Sequence, residues 1–191
     1  MIPLSDCCRR LLSWATIVLI SAFAGCATTV QPRDTALLVT AADLEDFGAT
    51  LPADFPAFEQ SRKTKLLGSL ELEYEFDARV ASTGYPYVYS SINRESTVSS
   101  AVAAYGAVKA GVGMAGIEAR DDSERFRYGD WSYFGTLVAE GGERGFVFYM
   151  RDDLTVYLLM LSGMRMNVED LWEQLLLPRL EMLTRTQLSS R

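Results

Sequence analysis

The stretch Ser69–Asp77 reads SLELEYEFD. Leu70, Leu72, Tyr74 and Phe76 alternate with Glu71, Glu73, Glu75 and Asp77. Period two over this length marks a strand with one face on a core and the other in water. A helix, with its period of 3.6, would scatter both sets around its surface. This segment therefore commits the chain to a sheet.

Outward from it, further segments read as strands. YPYVYSSI (Tyr85–Ile92) follows the turn residues Ser82-Thr83-Gly84, and its Pro86 suits an edge or a strand start. Trp131–Glu140 and Arg144–Asp152 flank Gly141-Gly142, a two-residue hairpin loop. Leu154–Gly163, LTVYLLMLSG, follows a tight turn at Asp152-Asp153 and is apolar on both faces, as for a central strand covered on both sides. A short strand is expected at Arg125–Tyr128.

Three segments have helical patterns. Thr40–Gly48 has Thr40 as N-cap, Asp43 three residues on and Gly48 to end it. The two-proline stretch ATLPADFPAF after it reads as an ordered loop. From Asn93 to about Gly116, Val98, Ala101, Val102, Tyr105, Val108 and Val112 recur at helical spacing. From Asn167 to about Arg185, Asn167 caps a stripe that includes Val168, Leu171, Trp172 and Leu175, and Pro178 kinks or restarts the helix. The element order gives an α+β domain: a largely antiparallel sheet of about five strands with helices on both faces, an αβα sandwich.

This order, with RGFVFYMRDDLTVYLLMLSG (Arg144–Gly163), resembles the PsbP-type domains of exported bacterial lipoproteins, over about residues 37–186. The resemblance implies no catalytic motif.

The N-terminal residues carry a different pattern. Arg9 and Arg10 precede Leu11–Phe23, an uncharged and mostly apolar run, and Ala24 and Gly25 follow. That is the layout of an export signal. FAGC (Phe23–Cys26) resembles the lipobox of bacterial lipoproteins, with Phe23 where the family usually has Leu. The resemblance implies diacylglyceryl transfer to Cys26 and cleavage before it. Residues 1–25 would be the signal, 26–36 the lipidated tether, 37–186 the domain and 187–191 a tail. Ala27, rather than Asp, implies the periplasmic face of the outer membrane. A spanning helix over Leu11–Val30, uncharged throughout, and an ordinary cleaved signal are the rivals. Two or three acyl chains would anchor firmly where one would not.

Composition narrows the chemistry. The chain has 18 basic and 25 acidic residues, a net charge of −7, and no histidine. Without residues 1–25, which include Asp6, Arg9 and Arg10, the net charge is −8. Scattered arginines on an acidic chain argue against nucleic-acid binding and leave the lipid as the membrane contact. Cys7 and Cys8 leave with the signal, so Cys26 is the one cysteine of the mature chain. Histidine-based catalysis, cysteine–histidine nucleophiles and Cys/His zinc sites are excluded.

Four groups remain as candidate sites. GVGMAG (Gly111–Gly116) matches a dinucleotide fingerprint but ends a helix instead of opening one after a strand. Glu71, Glu73, Glu75 and Asp77 could offer oxygen ligands to calcium, and otherwise line a solvated face beside arginines of a neighbouring strand. Asp121, Asp122 and Glu124 could be paired carboxylates of a hydrolase, and otherwise are turn residues. Tyr85, Tyr87 and Tyr89 share a strand face, with Trp131 and Tyr133 placed near them; such a stripe binds sugars or a partner protein if exposed, and packs under a helix if not.

The expectation is a lipid-anchored envelope protein with a non-catalytic binding or scaffolding domain. It needs no cofactor and no metal, with the membrane and an envelope protein or glycan as partners. The alternatives are a small-ligand receptor and a carboxylate hydrolase of envelope material.

Overall fold

The computed structural model describes residues 35–47, 58–66, 69–78, 86–139, 142–163 and 167–188. One antiparallel sheet runs through them in the order β1-β2-β3-β7-β6-β5-β4. The strands are β1 (Phe58–Leu66), β2 (Ser69–Asp77), β3 (Tyr87–Arg94), β4 (Arg120–Asp121), β5 (Trp131–Ala139), β6 (Gly142–Asp152) and β7 (Thr155–Ser162). Six are full strands, and β4 is a two-residue pairing at the edge. The fold is α+β as expected, with six full strands instead of five.

The additional strand is β1. FEQSRKTKL has apolar residues only at its ends, so no alternation betrays it. It lies at the sheet edge, and Arg62, Lys63 and Lys65 are the charged type that edge strands use against unwanted pairing. The strand expected at Arg125–Tyr128 is instead the end of a turn followed by irregular chain. From it Phe126 drops into the core against Phe134 and Trp172.

β2 follows its pattern residue by residue. Leu70, Leu72, Tyr74 and Phe76 are buried and the glutamates are half exposed. β7 is the central strand, as its two apolar faces required. On one side of the sheet, α1 (Ala41–Glu45) and a C-terminal helix, α3, close the main core. α3 begins as Val168–Leu171, passes through a π-helical turn at Trp172–Leu176 and continues as Leu177–Leu188. The irregular turn immediately precedes Pro178, which has no N–H to continue the ladder. Arg179 Nη1 donates to the Leu175 carbonyl at 2.9 Å, satisfying an acceptor there.

The segment entering α1 is pinned to this same side. Val39 N–H donates to Ser90 Oγ at 3.1 Å and Ala41 N–H to Tyr74 Oη at 3.0 Å. Asp43 accepts from Thr40 N–H at 2.7 Å, the expected capping box, and its other oxygen pairs with Arg179 of α3.

α2 (Val98–Met114) lies on the opposite side, over β3, β7 and β6. It starts later than the pattern suggested, because β3 runs on through Arg94. Ala101 is its one buried residue, with Ala104, Tyr105, Val108 and Val112 half-buried beside it. Val98 and Val102, read as part of the buried stripe, face outward. Three glycines sit inside this helix or its last turn, and a Cβ at Gly106, Gly111 or Gly113 would meet nothing within 4 Å. Glycine in a helix costs about 1 kcal/mol relative to alanine. Gly106→Ala should therefore raise the unfolding free energy by about 0.5–1 kcal/mol in a urea titration. An unchanged or lowered value would mean Gly106 does not sit in an open helical position.

The β6–β7 turn supplies a second prediction. Asp153 takes a positive φ of 48°, and Asp130 and Asp153 stand near Asp152. Burial first, then these two charges, raise the Asp152 carboxyl above its ordinary range. A raised acid favours the fold only while protonated, so its ionisation at neutral pH works against stability. Asp152→Asn should stabilise at pH 7 by about 0.5 kcal/mol, given its partial exposure. The gain should vanish below about pH 4, where the acid is neutral in both states. A gain that persists at pH 3 would assign it to packing.

Candidate functional site

The aromatic stripe divides in two. On β3, Tyr87 and Tyr89 are 3% and 8% exposed. Tyr89 Oη donates to Glu73 at 2.7 Å and Tyr87 Oη to Glu75 at 3.4 Å. Burial, followed by the Glu73 charge, pushes the Tyr89 phenol far up. These two tyrosines are sheet packing with satisfied hydroxyls, so they are withdrawn as binding residues. Tyr85 lies outside the described residues. Trp131 and Tyr133 are on β5, three strands away, which is about 14 Å at 4.8 Å per strand, so they do not join the stripe.

Trp131 and Tyr133 instead nucleate their own cluster. The register sets Trp131 opposite Arg151 and Tyr133 opposite Tyr149. Tyr133 stacks on Tyr149 at 5.1 Å, and Tyr105 of α2 packs on Tyr149 at 5.5 Å and on Trp131 at 5.6 Å. The Arg151 guanidinium lies 4.4 Å from the Trp131 ring centre and pairs with Asp130 at 2.8 Å. A buried cation that is both paired and covered by an indole is well held. Trp131 is thus clamped on its inner side while 48% of it stays exposed. Gly135 makes room for the Tyr133 ring, since a Cβ there would come within 2.7 Å of Tyr133 Oη. Burial raises the Tyr149 phenol to about 12, with Tyr105, Tyr133 and Asp121 adding to it, so all these hydroxyls stay protonated at neutral pH. A half-exposed indole held between the Tyr105 ring and the Arg151 guanidinium can stack on an apolar ring face.

The acidic groups are tied down. Asp121 accepts from Ser123 N–H at 3.0 Å and Ser123 Oγ at 2.6 Å, and these bonds hold its carboxyl low. Asp122 accepts from Arg120 and from Thr136 Oγ1 at 2.5 Å, and the Arg120 bond lowers it most. Glu124 is exposed in the turn that follows. Glu71, Glu73 and Glu75 stay in line along β2, with Arg62 of β1 in register opposite Glu73. Among the described residues no three acidic side chains gather where a metal could sit. A cleft of about 210 Å³ between Arg120, Arg125, Thr136, Glu143 and Glu169 is polar. Its arginines are already paired, Arg120 with Asp122 and Glu143, Arg125 with Glu169. Gly111 and Gly113 fall at the C-terminal end of α2, and Gly116 takes φ +63° beyond it. Among the described residues these glycines close a helix instead of opening one, so the fingerprint lacks the helix N-terminus that would cradle a phosphate.

Tyr105, Tyr149 and Arg151 were not singled out from sequence. The hairpin of β5 and β6 was a partial signal: it makes the two strands neighbours, but the register that sets Tyr149 and Arg151 opposite Tyr133 and Trp131 depends on a bulge. Phe23, Ala24, Gly25 and Cys26 lie outside the described residues. Among the described residues no helix is long and apolar enough to cross a membrane. Comparison with protein-family models, curated proteins and solved structures finds no match to the chain.

Proposed function

We propose that this is a lipid-anchored cell-envelope protein whose α+β domain is a non-catalytic binding or scaffolding module on the periplasmic side of the outer membrane. The observation that carries the anchor is Phe23-Ala24-Gly25-Cys26 at the end of a basic start and an apolar run. The Trp131 cluster supports the binding role, with an envelope glycan or protein as partner. The lowered carboxyls of Asp121 and Asp122 speak against these two residues as the raised acid that a glycosidase needs to protonate its leaving group. The likeness to PsbP-type domains remains part of this proposal and rests on element order.

Fatty-acid labelling tests the anchor. The full chain and its Cys26→Ala variant are expressed with a clickable fatty acid in a Gram-negative host and fractionated. Label on the wild type alone, with the protein in the outer-membrane pellet, is the expected result. A wild type that pellets without label would make Leu11–Val30 a spanning anchor instead. The binding role is tested on isolated envelope glycan. Trp131→Ala should weaken retention at least about tenfold, as loss of a central aromatic contact does. Equal retention by both proteins removes this surface from the proposal.

A further inference from the structure

Beside the exposed indole of Trp131 stands a carboxylate, that of Asp130. We propose that the ligand of this surface is a glycan whose sugar rings bear no negative charge, one ring lying on Trp131 and turning a hydroxyl edge to Asp130. This deepens the binding reading above and rests on Trp131 being the binding surface. Asp130 and Trp131 both touch one guanidinium. Arg151 Nη2 donates to Asp130 Oδ2 at 2.8 Å, and the same group lies 4.4 Å from the indole ring centre. Carboxylate and ring therefore stand side by side. Asp130 Oδ2 also accepts from Asp153 N–H at 3.4 Å. Its Oδ1 is left without a partner among the described residues, on a side chain 50% exposed.

Three observations carry this. First, the Arg151 side chain is only 9% exposed, and its Nε is buried without a hydrogen-bond partner among the described residues. A buried cation with an unmet donor costs stability, and an apolar side chain would fill the same place at less cost. What the arginine supplies is position. It fixes the carboxylate and backs the indole, and the two groups it holds are both half open to solvent. Second, that pair matches a pyranose. The C–H face of the sugar packs on an aromatic face, and its hydroxyls donate to an acceptor at the rim. A hydrogen bond to an ionised acceptor is roughly twice as strong as a neutral one. Third, charge sets the kind of sugar. Asp130, Asp152 and Asp153 gather at this end of the β6–β7 turn, with Arg151 among them already paired. A phosphate or carboxylate on the ring would meet three acids and find no free cation there. The same acids argue against a protein partner, because the core of a protein interface is depleted of aspartate.

Titration of the full chain in a sugar-free detergent tests this, followed by tryptophan emission. The probes are oligomers of glucose and of N-acetylglucosamine, which are neutral, and of glucuronic acid, which carries a carboxylate on every ring. A neutral oligomer should shift the emission of the wild type and leave Trp131→Ala unchanged. The acidic oligomer should bind at least about fivefold more weakly. Asp130→Asn, which keeps an oxygen for Arg151, and Asp152→Asn should each narrow that preference about twofold. The second variant takes nothing from the Asp130–Arg151 pair, so it reads the charge even if the first unfolds. No shift with either neutral oligomer, equal or tighter binding of the acidic one, or a preference that both asparagine variants leave intact would overturn the inference. If the neutral oligomers fail while Trp131→Ala still loses retention on envelope glycan, the binding surface stands and the uncharged-sugar chemistry falls. If that retention is also unchanged, both fall.

Discussion

Gly145→Ala is expected to lower the unfolding free energy by about 4 kcal/mol, combining backbone strain with overpacking. Gly145 has φ +154°, and a Cβ there would lie 2.1 Å from the Leu161 carbonyl oxygen and 2.8 Å from Ser162 Cα. Both obstacles are backbone of the central strand β7, so no side chain can swing aside. The contrast is Gly142, also at positive φ (+117°) but with nothing within 4 Å. Gly142→Ala should cost only the strain, about 1 kcal/mol. Urea titration of both variants checks the pair. Similar small losses at both positions would mean that β6 shifts away from β7 at no great cost.

Phe134→Ala should cost about 3–5 kcal/mol. Its ring is fully buried and stacks on Phe146 at 4.9 Å, with Phe126 at 4.5 Å and Trp172 edge-on at 5.7 Å. These rings join β5, β6, the turn after β4 and α3, so one truncation opens a void shared by four elements. Ring pairs add about 0.5–1.5 kcal/mol beyond the area they bury. A measured loss below about 2 kcal/mol would show that the cluster collapses into the void.

Much of the fold was legible because the decisive interactions are local. Alternation in Ser69–Asp77, two apolar faces in Leu154–Gly163, and caps at Thr40 and Asn167 are written within a few residues. β1 was not legible, since an edge strand with charged residues has no period to find. The candidate site failed for a different reason: it depends on register. Pairing outward from a Gly141-Gly142 loop sets Tyr133 opposite Met150, on the core side. Gly142 belongs to β6 and pairs with Ala139, and the register shifts between Leu137 and Val138, leaving Arg144 as the extra residue. That shift returns Tyr133 to Tyr149 and Trp131 to Arg151. A one-residue slip exchanges the faces of a whole strand, and no local signal in the hairpin marks the bulge. The exposure of Val98 and Val102 was equally hidden, because helical spacing shows that a stripe exists and not which side meets the sheet.

The pinning of Thr35–Glu45 beneath β2 and β3 has a consequence for presentation. Ser90, Tyr74 and Arg179 grip this segment on the α3 side of the sheet, so residues 35–45 lie on that side. Under the proposed lipid anchor the domain would be suspended by its back. Its opposite surface, with α2 and the Trp131 indole, looks away from the point of suspension, as a sign faces away from the wall on which it hangs.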